Sequence, residues 1–323
     1  MGRSLLAILI CGLALTAAGP AQAAFPGVPG PIAYSYFTIS EFDDRGGIFT
    51  HGPRKRDPSR QLTEDRDDSS PSYSPNGRLI VFSGNRDPGS TQGSHIYLMN
   101  RDGSDVKQLT SGEFYDGNPS FSANGKFVVF DRGALQGRSS HIFSVAVDGS
   151  DLRQLTDGPD SDYDPTFTPN GRRIVFVSNR ISSGRRDRSN VVSMRPDGSQ
   201  ITLLIGGPRS EYDPDVSPNG RKIAFASNRN HGPNLFVARI SGKHVRQLTR
   251  SRSDCFGGAC YSNPSWSPDG AHIAFHSAGR YSSGVDVMRA DGRGFSREFA
   301  SGGTEEEGFG DRVGAPGWGP RPR

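Results

Sequence analysis

Residues 263–275 constrain the fold of this chain more than any other feature, because the stretch recurs along the sequence. It consists of Asn-Pro-Ser-Trp-Ser-Pro-Asp-Gly-Ala-His-Ile-Ala-Phe. Its Pro-Asp-Gly segment predicts a tight turn with glycine in the left-handed conformation. The apolar residues on either side predict two antiparallel strands. We therefore expect a β-hairpin with Trp266 buried on one face.

Four upstream segments repeat this pattern, and their spacing predicts the architecture. Each copy continues with a second strand that ends in an aromatic residue, a polar loop and a third strand. Most copies then have a second glycine turn and a fourth strand that often ends in Gln-Leu-Thr. Four antiparallel strands per repeat make a propeller blade. The intervals of 48, 46, 49 and 50 residues between equivalent prolines are typical of such blades. These prolines are Pro71, Pro119, Pro165, Pro214 and Pro264.

The two ends of the chain supply the parts of one further blade. Residues 32–34, 47–49 and 60–63 match the second, third and fourth strands of the repeat, and residues 315–320 match the first strand. Joining these parts closes the ring and removes its open edges. The sequence therefore predicts an all-β, six-bladed β-propeller over residues 32–323, with four antiparallel strands in each blade.

The first residues predict export from the cytoplasm. Arg3, an apolar run from Leu5 to Ala18 and the Ala-Gln-Ala sequence at 21–23 form the pattern of a secretory signal peptide. We expect residues 1–23 to be removed, residues 24–31 to be a short linker, and the protein to be periplasmic or secreted. No later apolar run reaches the roughly 18 to 20 residues that a membrane-spanning helix needs.

Two cysteines, Cys255 and Cys260, lie outside the predicted signal peptide. Cysteines this close usually pair in an oxidising compartment, so a disulfide is favoured over two free thiols. A zinc site is not expected, because neither His nor a second cysteine pair accompanies them at a suitable spacing.

The charge of the chain argues against nucleic acid as a partner. The net charge is only +4, and the short basic segments lie in separate predicted loops. A nucleic-acid-binding protein is expected to have its basic residues in one patch or stripe.

We expect a soluble monomer.

The repeated motif also points to a family. The pattern x-Pro-x-Trp/Phe-Ser-Pro-Asp/Asn-Gly-x-x-Ile-Ala-Phe-x-Ser, followed by Ile-Phe/Tyr and Gln-Leu-Thr, resembles the WD-like repeat of the TolB family over about residues 32–320. The resemblance implies a propeller that acts by binding in the cell envelope. TolB proteins also have an N-terminal α/β domain that docks inner-membrane partners, and we expect no counterpart of it in this chain.

The loops that precede the first strands contain the candidate binding residues. In a propeller these loops lie on one face, around the mouth of the central channel, and variable loops on a rigid scaffold are common binding sites. Carboxylates and tyrosines there are suited to a cationic or sugar-like ligand, a metal ion or a protein loop. Alternatively, Asp or Asn before Pro caps backbone groups where the strand begins. The candidates are Tyr115, Asp116, Asp162, Tyr163, Asp164, Glu211, Tyr212, Asp213 and Tyr261.

Arginines recur in the loops between the second and third strands, on the same face. Arg and Asp on one rim favour ion pairs or bidentate hydrogen bonds. Such pairs are often structural, so we expect these arginines to join neighbouring blades and to neutralise some of the acids. The arginines are Arg86, Arg132, Arg180, Arg229 and Arg280.

Motifs for catalysis are missing from the sequence. It has no Gly-x-Ser-x-Gly, no His-Glu-x-x-His and no phosphate-binding loop. His276 is the single histidine that we expect near the channel rim. No cofactor or metal is expected. The leading hypothesis is a non-catalytic scaffold that binds an envelope protein or polymer through its channel mouth. The alternatives are a metal-assisted polysaccharide lyase or hydrolase, and an assembly platform that uses its side or the glycine-turn face.

Overall fold

The computed structural model describes residues 26–37, 46–52, 56–86, 93–135, 139–181, 188–230, 232–251, 260–279, 282–302 and 312–322. The strands in these residues form six antiparallel sheets. The predicted all-β, six-bladed propeller is therefore confirmed. The predicted signal peptide, Cys255 and Arg280 lie outside the described residues.

The second to sixth blades follow the chain in order, with four strands each. Each runs from the channel outwards, with an inner, a second, a third and an outer strand. The second blade has β4 (Ser69–Tyr73), β5 (Leu79–Gly84), β6 (His95–Asn100) and β7 (Lys107–Gln108); the third has β8 (Phe114–Phe121), β9 (Phe127–Ala134), β10 (Ser140–Ala146) and β11 (Arg153–Gln154); the fourth has β12 (Asp162–Phe167), β13 (Ile174–Ser178), β14 (Asn190–Met194) and β15 (Thr202–Ile205); the fifth has β16 (Glu211–Val216), β17 (Lys222–Ser227), β18 (Asn234–Arg239) and β19 (Arg246–Gln247); the sixth has β20 (Cys260–Trp266), β21 (His272–Ala278), β22 (Ser282–Arg289) and β23 (Ser296–Gly302).

The first blade combines both ends of the chain. The N-terminal part supplies three strands, and two short C-terminal strands pair with the first of them. Together they take the place of one inner strand, as the sequence predicted. The blade begins slightly before the predicted residue 32. Its strands are β1 (Pro29–Phe37), β2 (Gly46–His51), β3 (Ser59–Gln61), β24 (Arg312–Val313) and β25 (Gly317–Pro320).

The recurring Ser-Pro-Asn/Asp-Gly sequence forms the turn between the inner and second strands. In the second blade, Ser74 Oγ donates to Asn76 Oδ1 at 2.8 Å and accepts from Leu79 N at 2.9 Å. Asn76 Oδ1 also accepts from Arg78 N at 3.0 Å. The glycine that follows has a φ of 67°, which favours glycine. The motif therefore recurs between blades because the turn geometry needs it. The side chains of Ser74 and Asn76 bond the backbone of the turn itself.

The hydrophobic core lies between neighbouring blades. Second-strand residues such as Ile80, Phe82, Phe130 and Phe225 are completely buried. One core cluster joins Val81 of the second blade to residues of the third, and the other clusters likewise combine two blades. The short apolar runs of the sequence thus form strands that are covered on both faces.

Each inner strand in the second to sixth blades has a bulge at the residue before its proline. The residues in these five positions have φ values between 48° and 52°. Strand pairing shifts register at this point, for example between Tyr163 and Thr166. Asn and Asp adopt such a backbone more readily than most residues do. The bulge places these five residues on the wall of the central channel; they are Ser70, Asn118, Asp164, Asp213 and Asn263.

Candidate functional site

The inner strands of all six blades line a central cavity of about 150 Å³. The loops before the inner strands and after the second strands lie on one face, which we call the mouth face. The glycine turns lie on the opposite face, which we call the turn face. The predicted binding residues belong to the mouth face, but the structure divides them into two groups with different surroundings.

The first group consists of acids that are buried and paired with arginine. Asp116 is completely buried, and its two carboxylate oxygens accept from Arg132 Nε at 2.6 Å and from Arg132 Nη2 at 2.7 Å. Thr110, at the end of the preceding blade, donates to the same carboxylate at 2.6 Å. Asp162 and Glu211 are buried in the same way and pair with Arg180 and Arg229, and Asp68 pairs with Arg86.

These arginines pack on aromatic rings as well as on acids. The Arg132 guanidinium lies 4.4 Å from the ring centre of Phe114, and Arg229 lies 5.2 Å from that of Phe236. An arginine that is buried, forms two hydrogen bonds to a carboxylate and stacks on aromatic rings stabilises the fold.

Each ion pair lies within one blade, so the pairs themselves do not join neighbouring blades. Links between blades come from further contacts of the same side chains: Thr110 bonds Asp116, and Arg180 Nη2 donates at 3.2 Å to the carbonyl of Asp157, at the end of the preceding blade.

Tyr115 is out of register with the other predicted tyrosines. It pairs with Gly133, directly before the buried Asp116, and it is 49% exposed. Tyr163 and Tyr212 each follow their buried acid, and the equivalent residue in the third blade is Gly117. The dipeptides Tyr115-Asp116 and Tyr163-Asp164 therefore look alike but occupy different positions. The sequence indicates this difference, because Tyr115 precedes Pro119 by four residues and Tyr163 precedes Pro165 by two.

Tyr261 takes the position of the buried acid in the sixth blade. Its ring lies 5.9 Å from that of Phe275 and 6.1 Å from that of Phe295, both edge to face. The arginine pair of this blade forms between other strands, where Arg297 Nε donates to Asp286 Oδ1 at 3.1 Å. His276 lies beside the mouth and shares a hydrogen bond of 3.2 Å with Ser262. Cys260 is disulfide-bonded, and the predicted partner, Cys255, lies outside the described residues.

The second group consists of acids at or near the channel wall, whose carboxylates bond the inner-strand backbone of the following blade. Asp131 Oδ1 accepts from Asp164 N at 3.2 Å, and Asp213 Oδ2 accepts from Asn263 N at 3.0 Å. The carboxyl groups of Asp164 and Asp213 are also close enough to interact, because the charge of Asp213 raises the pKa of Asp164. Two neighbouring carboxyl groups repel each other when both are ionised, so the pair favours keeping one proton.

Asp131 is a member of this group that the sequence analysis missed. It lies on the second strand of the third blade, where it also accepts from Asn118 Nδ2 at 3.0 Å. A side chain on the opposite Gly117 would lie 3.4 Å from its carboxylate. That distance is an ordinary van der Waals contact, so Asp131 does not depend on glycine at this position. A charged residue directly after the apolar run 127–130 was the only indication in the sequence.

The channel acids are held in their protonated form more strongly than ordinary carboxyls. Burial raises the pKa of Asp131 to about 6. Burial, followed by the charges of Asp213 and Asp131, raises the pKa of Asp164 well above its usual range. The pKa of Asp213 is also raised by burial. Among the described residues, amides and backbone N–H groups donate hydrogen bonds to these acids.

Two tyrosines border this acid group on the mouth face. Tyr163 forms a hydroxyl–hydroxyl hydrogen bond with Ser189, and Tyr212 Oη donates to Asn228 Oδ1 at 2.6 Å. Both rings are half-buried. The fourth and fifth blades thus each present one tyrosine and one channel acid. We call Tyr163, Asp164, Tyr212 and Asp213 the mouth cluster.

Asp215, deeper in the channel, provides a test of these electrostatics. It accepts from Trp266 N at 2.7 Å, and burial raises its pKa to about 7. The folded protein therefore binds a proton here between about pH 4 and 7 that the unfolded chain has released. The contribution of this group to the free energy of unfolding is fully present below about pH 4. It falls as the pH rises and is lost above about pH 7.

We expect Asp215→Asn to stabilise the protein by about 1–3 kcal/mol at pH 8 and by much less at pH 4. Asparagine keeps the acceptor for Trp266 but cannot become charged. Urea unfolding between these pH values measures the difference. Asp197→Asn is the control, because hydrogen bonds from Ser199 lower the pKa of that exposed carboxyl, so no gain is expected at high pH. A gain that does not change with pH would contradict the assignment.

No group of three or more His, Cys, Asp and Glu residues within the described ranges is arranged to hold a metal ion. None of the elements described there is a helix long and apolar enough to cross a membrane.

Comparisons with known proteins agree with this architecture. A family model described as the TolB beta propeller domain matches residues 38–204. TolB from Acinetobacter baumannii superposes with a TM-score of 0.71 at 20% identity, over 90% of this chain and 67% of that chain. No curated protein sequence matches the chain.

Two further solved structures share the fold but belong to enzymes. Hydrazine synthase from Kuenenia stuttgartiensis has a TM-score of 0.72 at 15% identity, over 94% of this chain and 49% of that chain, so this chain spans about half of that protein. An oligogalacturonate lyase in complex with manganese has a TM-score of 0.52 at 13% identity, over 85% of this chain and 74% of that chain. At such identities the likeness shows the fold alone.

Proposed function

Because this chain belongs to the family of TolB beta-propeller domains, we propose that it is a non-catalytic binding scaffold of the cell envelope. In this proposal the mouth cluster holds a segment of a protein or envelope polymer. The observation that carries the proposal is the pair Asp164 and Asp213, which both lie on the channel wall beside two tyrosines and interact through their charges.

The backbone at the bulge does not require aspartate at positions 164 and 213. The same bulge position, with the same left-handed backbone, is held by Asn118 and Asn263 in other blades. An asparagine would therefore satisfy the strand geometry without the cost of placing two carboxyl groups together. Groups that are costly to the fold and lie in a cleft are candidates for function. This comparison favours binding over backbone capping for Asp164 and Asp213.

The chemistry of the cluster favours a cationic group. A lysine, arginine or amine placed between the two carboxyls would let both ionise and would replace the proton that the pair keeps. The flanking tyrosine rings supply faces that attract cations. The channel cavity of about 150 Å³ is smaller than the roughly 300–1,000 Å³ of typical small-molecule sites. It has room for one side chain of a larger partner.

The test is capture of a partner by the full chain from the native envelope, followed by crosslinking and identification. We expect a variant with Asp164→Asn, Asp213→Asn, Tyr163→Ala and Tyr212→Ala to lose capture by at least tenfold, because its cation site is gone. Tyr115→Ala is the matched control, since Tyr115 is exposed on the same face but lies outside the cluster. Thermal unfolding verifies that each variant is folded. Unchanged capture by the fourfold variant would refute the site.

A second candidate is a metal-assisted polysaccharide lyase or hydrolase. It is supported by the acidic mouth and by the shared fold of the manganese-bound oligogalacturonate lyase. Metal analysis of the purified protein and a screen on charged polysaccharides separate the two candidates. Bound metal together with turnover would exclude the passive scaffold.

Export is part of the same proposal. Residues 1–23 would act as the signal peptide, residues 24–31 as a linker, and the mature protein would be a periplasmic or secreted monomer. The disulfide of Cys260 is of a kind that persists in oxidising compartments.

A further inference from the structure

The turn face differs between the two halves of the propeller. At the start of the second strand, the second and third blades have Leu79 and Phe127, whereas the next three have Arg173, Lys222 and His272. At the end of the third strand, neutral Asn100 and Ala146 correspond to Arg195, Arg239 and Arg289. Equivalent positions have the same backbone, so the turns themselves do not require basic residues. Arg173 does bond its own blade, through Ser193 Oγ at 3.0 Å and Thr202 Oγ1 at 3.1 Å.

Acidic residues are distributed in the opposite way. The outer turns of the second and third blades each contain two aspartates, and Asp151 pairs with Arg153 at 2.7 Å. In the fifth and sixth blades the second of these aspartates is replaced by His244 and Gly294. The serine after the turn glycine is replaced there by Lys243 and Arg293. We call the turns of the fourth to sixth blades the basic half of the turn face.

A cleft of about 400 Å³ lies between the fifth and sixth blades within this half. Arg246 has a structural role in it, because it donates to the carbonyls of Asp291 at 2.9 Å and Ala290 at 3.4 Å. Lys107 makes the same kind of contact in the second blade, with the carbonyl of Asp148. Lys222 and Arg289 line the cleft in addition.

The cleft has more positive than negative charge. Its one lining acid, Asp291, lies 3.6 Å from Arg289 Nη2, and both side chains are exposed. A pair at that distance and exposure is weak. Lys222 and Arg289 are therefore available to bind an anionic group from outside.

Exposed apolar side chains lie on the outer turns of the same two blades. Val245 and Phe295 precede the outer strands of the fifth and sixth blades, and they are 38% and 52% exposed. Val106 and Leu152 have the equivalent position in the second and third blades. The apolar residues therefore recur, and the charge alone distinguishes the basic half.

We propose that the basic half of the turn face docks on an anionic phospholipid surface. Basic residues next to exposed apolar ones are the combination that holds a protein at a membrane interface. The phosphate of a headgroup would lie in the cleft, with Lys222 and Arg289 as its ligands. Val245 and the exposed part of Phe295, whose ring also packs on Phe275 at 5.3 Å, would reach the boundary of the acyl chains. Because this face is opposite the mouth cluster, membrane docking leaves the mouth open.

The test is cosedimentation of the full chain with vesicles. We expect binding to phosphatidylcholine vesicles that contain about 30% phosphatidylglycerol, release by high salt, and little binding to pure phosphatidylcholine. Lys222→Glu together with Arg289→Glu should reduce binding by at least tenfold, and Phe295→Ser should reduce it several-fold. The matched control is Arg78→Glu with Lys126→Glu, which makes the same change in the other half and should alter binding less than twofold.

Three results would overturn the proposal. They are no binding of the native chain to the anionic vesicles at low salt, equal losses in the two double variants, and binding to a soluble anionic polysaccharide but not to vesicles. Competition by soluble glycerol phosphate distinguishes a headgroup site from general surface attraction, and a lack of competition would refute the role of the cleft. The fourfold mouth variant should bind vesicles normally, so the two proposals can fail separately.

Discussion

Deletion of residues 314–323 is expected to lower the melting temperature of the whole domain by more than about 10 °C, or to leave no folded protein. An ordinary exposed tail can be removed at little cost. This segment is different because it contains β25, which pairs with β1 and supplies most of the inner strand of the first blade. Without it, the ring has an open edge.

Trp318 is the residue through which the deletion should act most strongly. Its backbone N–H donates to Ser265 Oγ of the sixth blade at 3.0 Å, and its Nε1 donates to the carbonyl of Gly30 at 3.1 Å. Its side chain is buried with Ile32, Tyr34 and neighbours from the sixth blade. Loss of a buried tryptophan alone typically costs about 3–5 kcal/mol. The deletion also removes the hydrogen bonds that connect the two ends of the chain.

The control is removal of residues 321–323 alone, since Arg321 and Pro322 are exposed. We expect that shorter deletion to change the melting temperature by only about 1–2 °C. Trp318→Ala provides an intermediate variant. Scanning calorimetry of all three measures both the temperature and the cooperativity of unfolding. A domain that melts normally without residues 314–323 would show that the ring does not depend on its C-terminal strand.

The architecture was predictable because its determinants are local and repeat. The Ser-Pro-Asn/Asp-Gly turn bonds its own backbone, as Ser74 and Asn76 illustrate. The threonine of Gln-Leu-Thr bonds the neighbouring third strand, where Ile96 N donates to Thr110 Oγ1 at 2.9 Å. Such contacts need the same or chemically similar residues in most blades, as Thr168 in place of serine illustrates. The sequence therefore reveals them as a period.

The candidate site was less predictable because its contacts join different blades. Asp131 belongs to a second strand and meets Asp164 only after the third and fourth blades have packed together. The sequence analysis grouped Asp116 with Asp164 on the basis of their neighbouring tyrosines. Their positions relative to the bulge, however, direct one carboxylate to an arginine and the other to the channel. A residue-by-residue alignment on the prolines would have separated the two.

The two groups of acids should respond in opposite ways to the same substitution. Asp116→Asn is expected to destabilise the protein by about 3–5 kcal/mol at neutral pH, because it leaves the Arg132 guanidinium buried without its counter-charge. Arg132 is only 7% exposed, so water cannot replace the lost carboxylate. Arg132→Met should cost a similar amount by leaving Asp116 charged and unpaired. The double variant should recover part of the loss, which a double-mutant cycle measures.

Asp164→Asn, by contrast, is expected to leave stability unchanged or to raise it by about 1 kcal/mol at neutral pH. Its folded-state pKa is raised by burial and by Asp213 and Asp131, so the native carboxyl loses stability as the pH rises and the asparagine does not. The fold already accepts asparagine in this backbone conformation at Asn118. Urea unfolding of both variants at pH 7 compares them directly. If Asp164→Asn were as destabilising as Asp116→Asn, the channel acids would be structural like the paired ones, and the mouth cluster would lose its main support as a binding site.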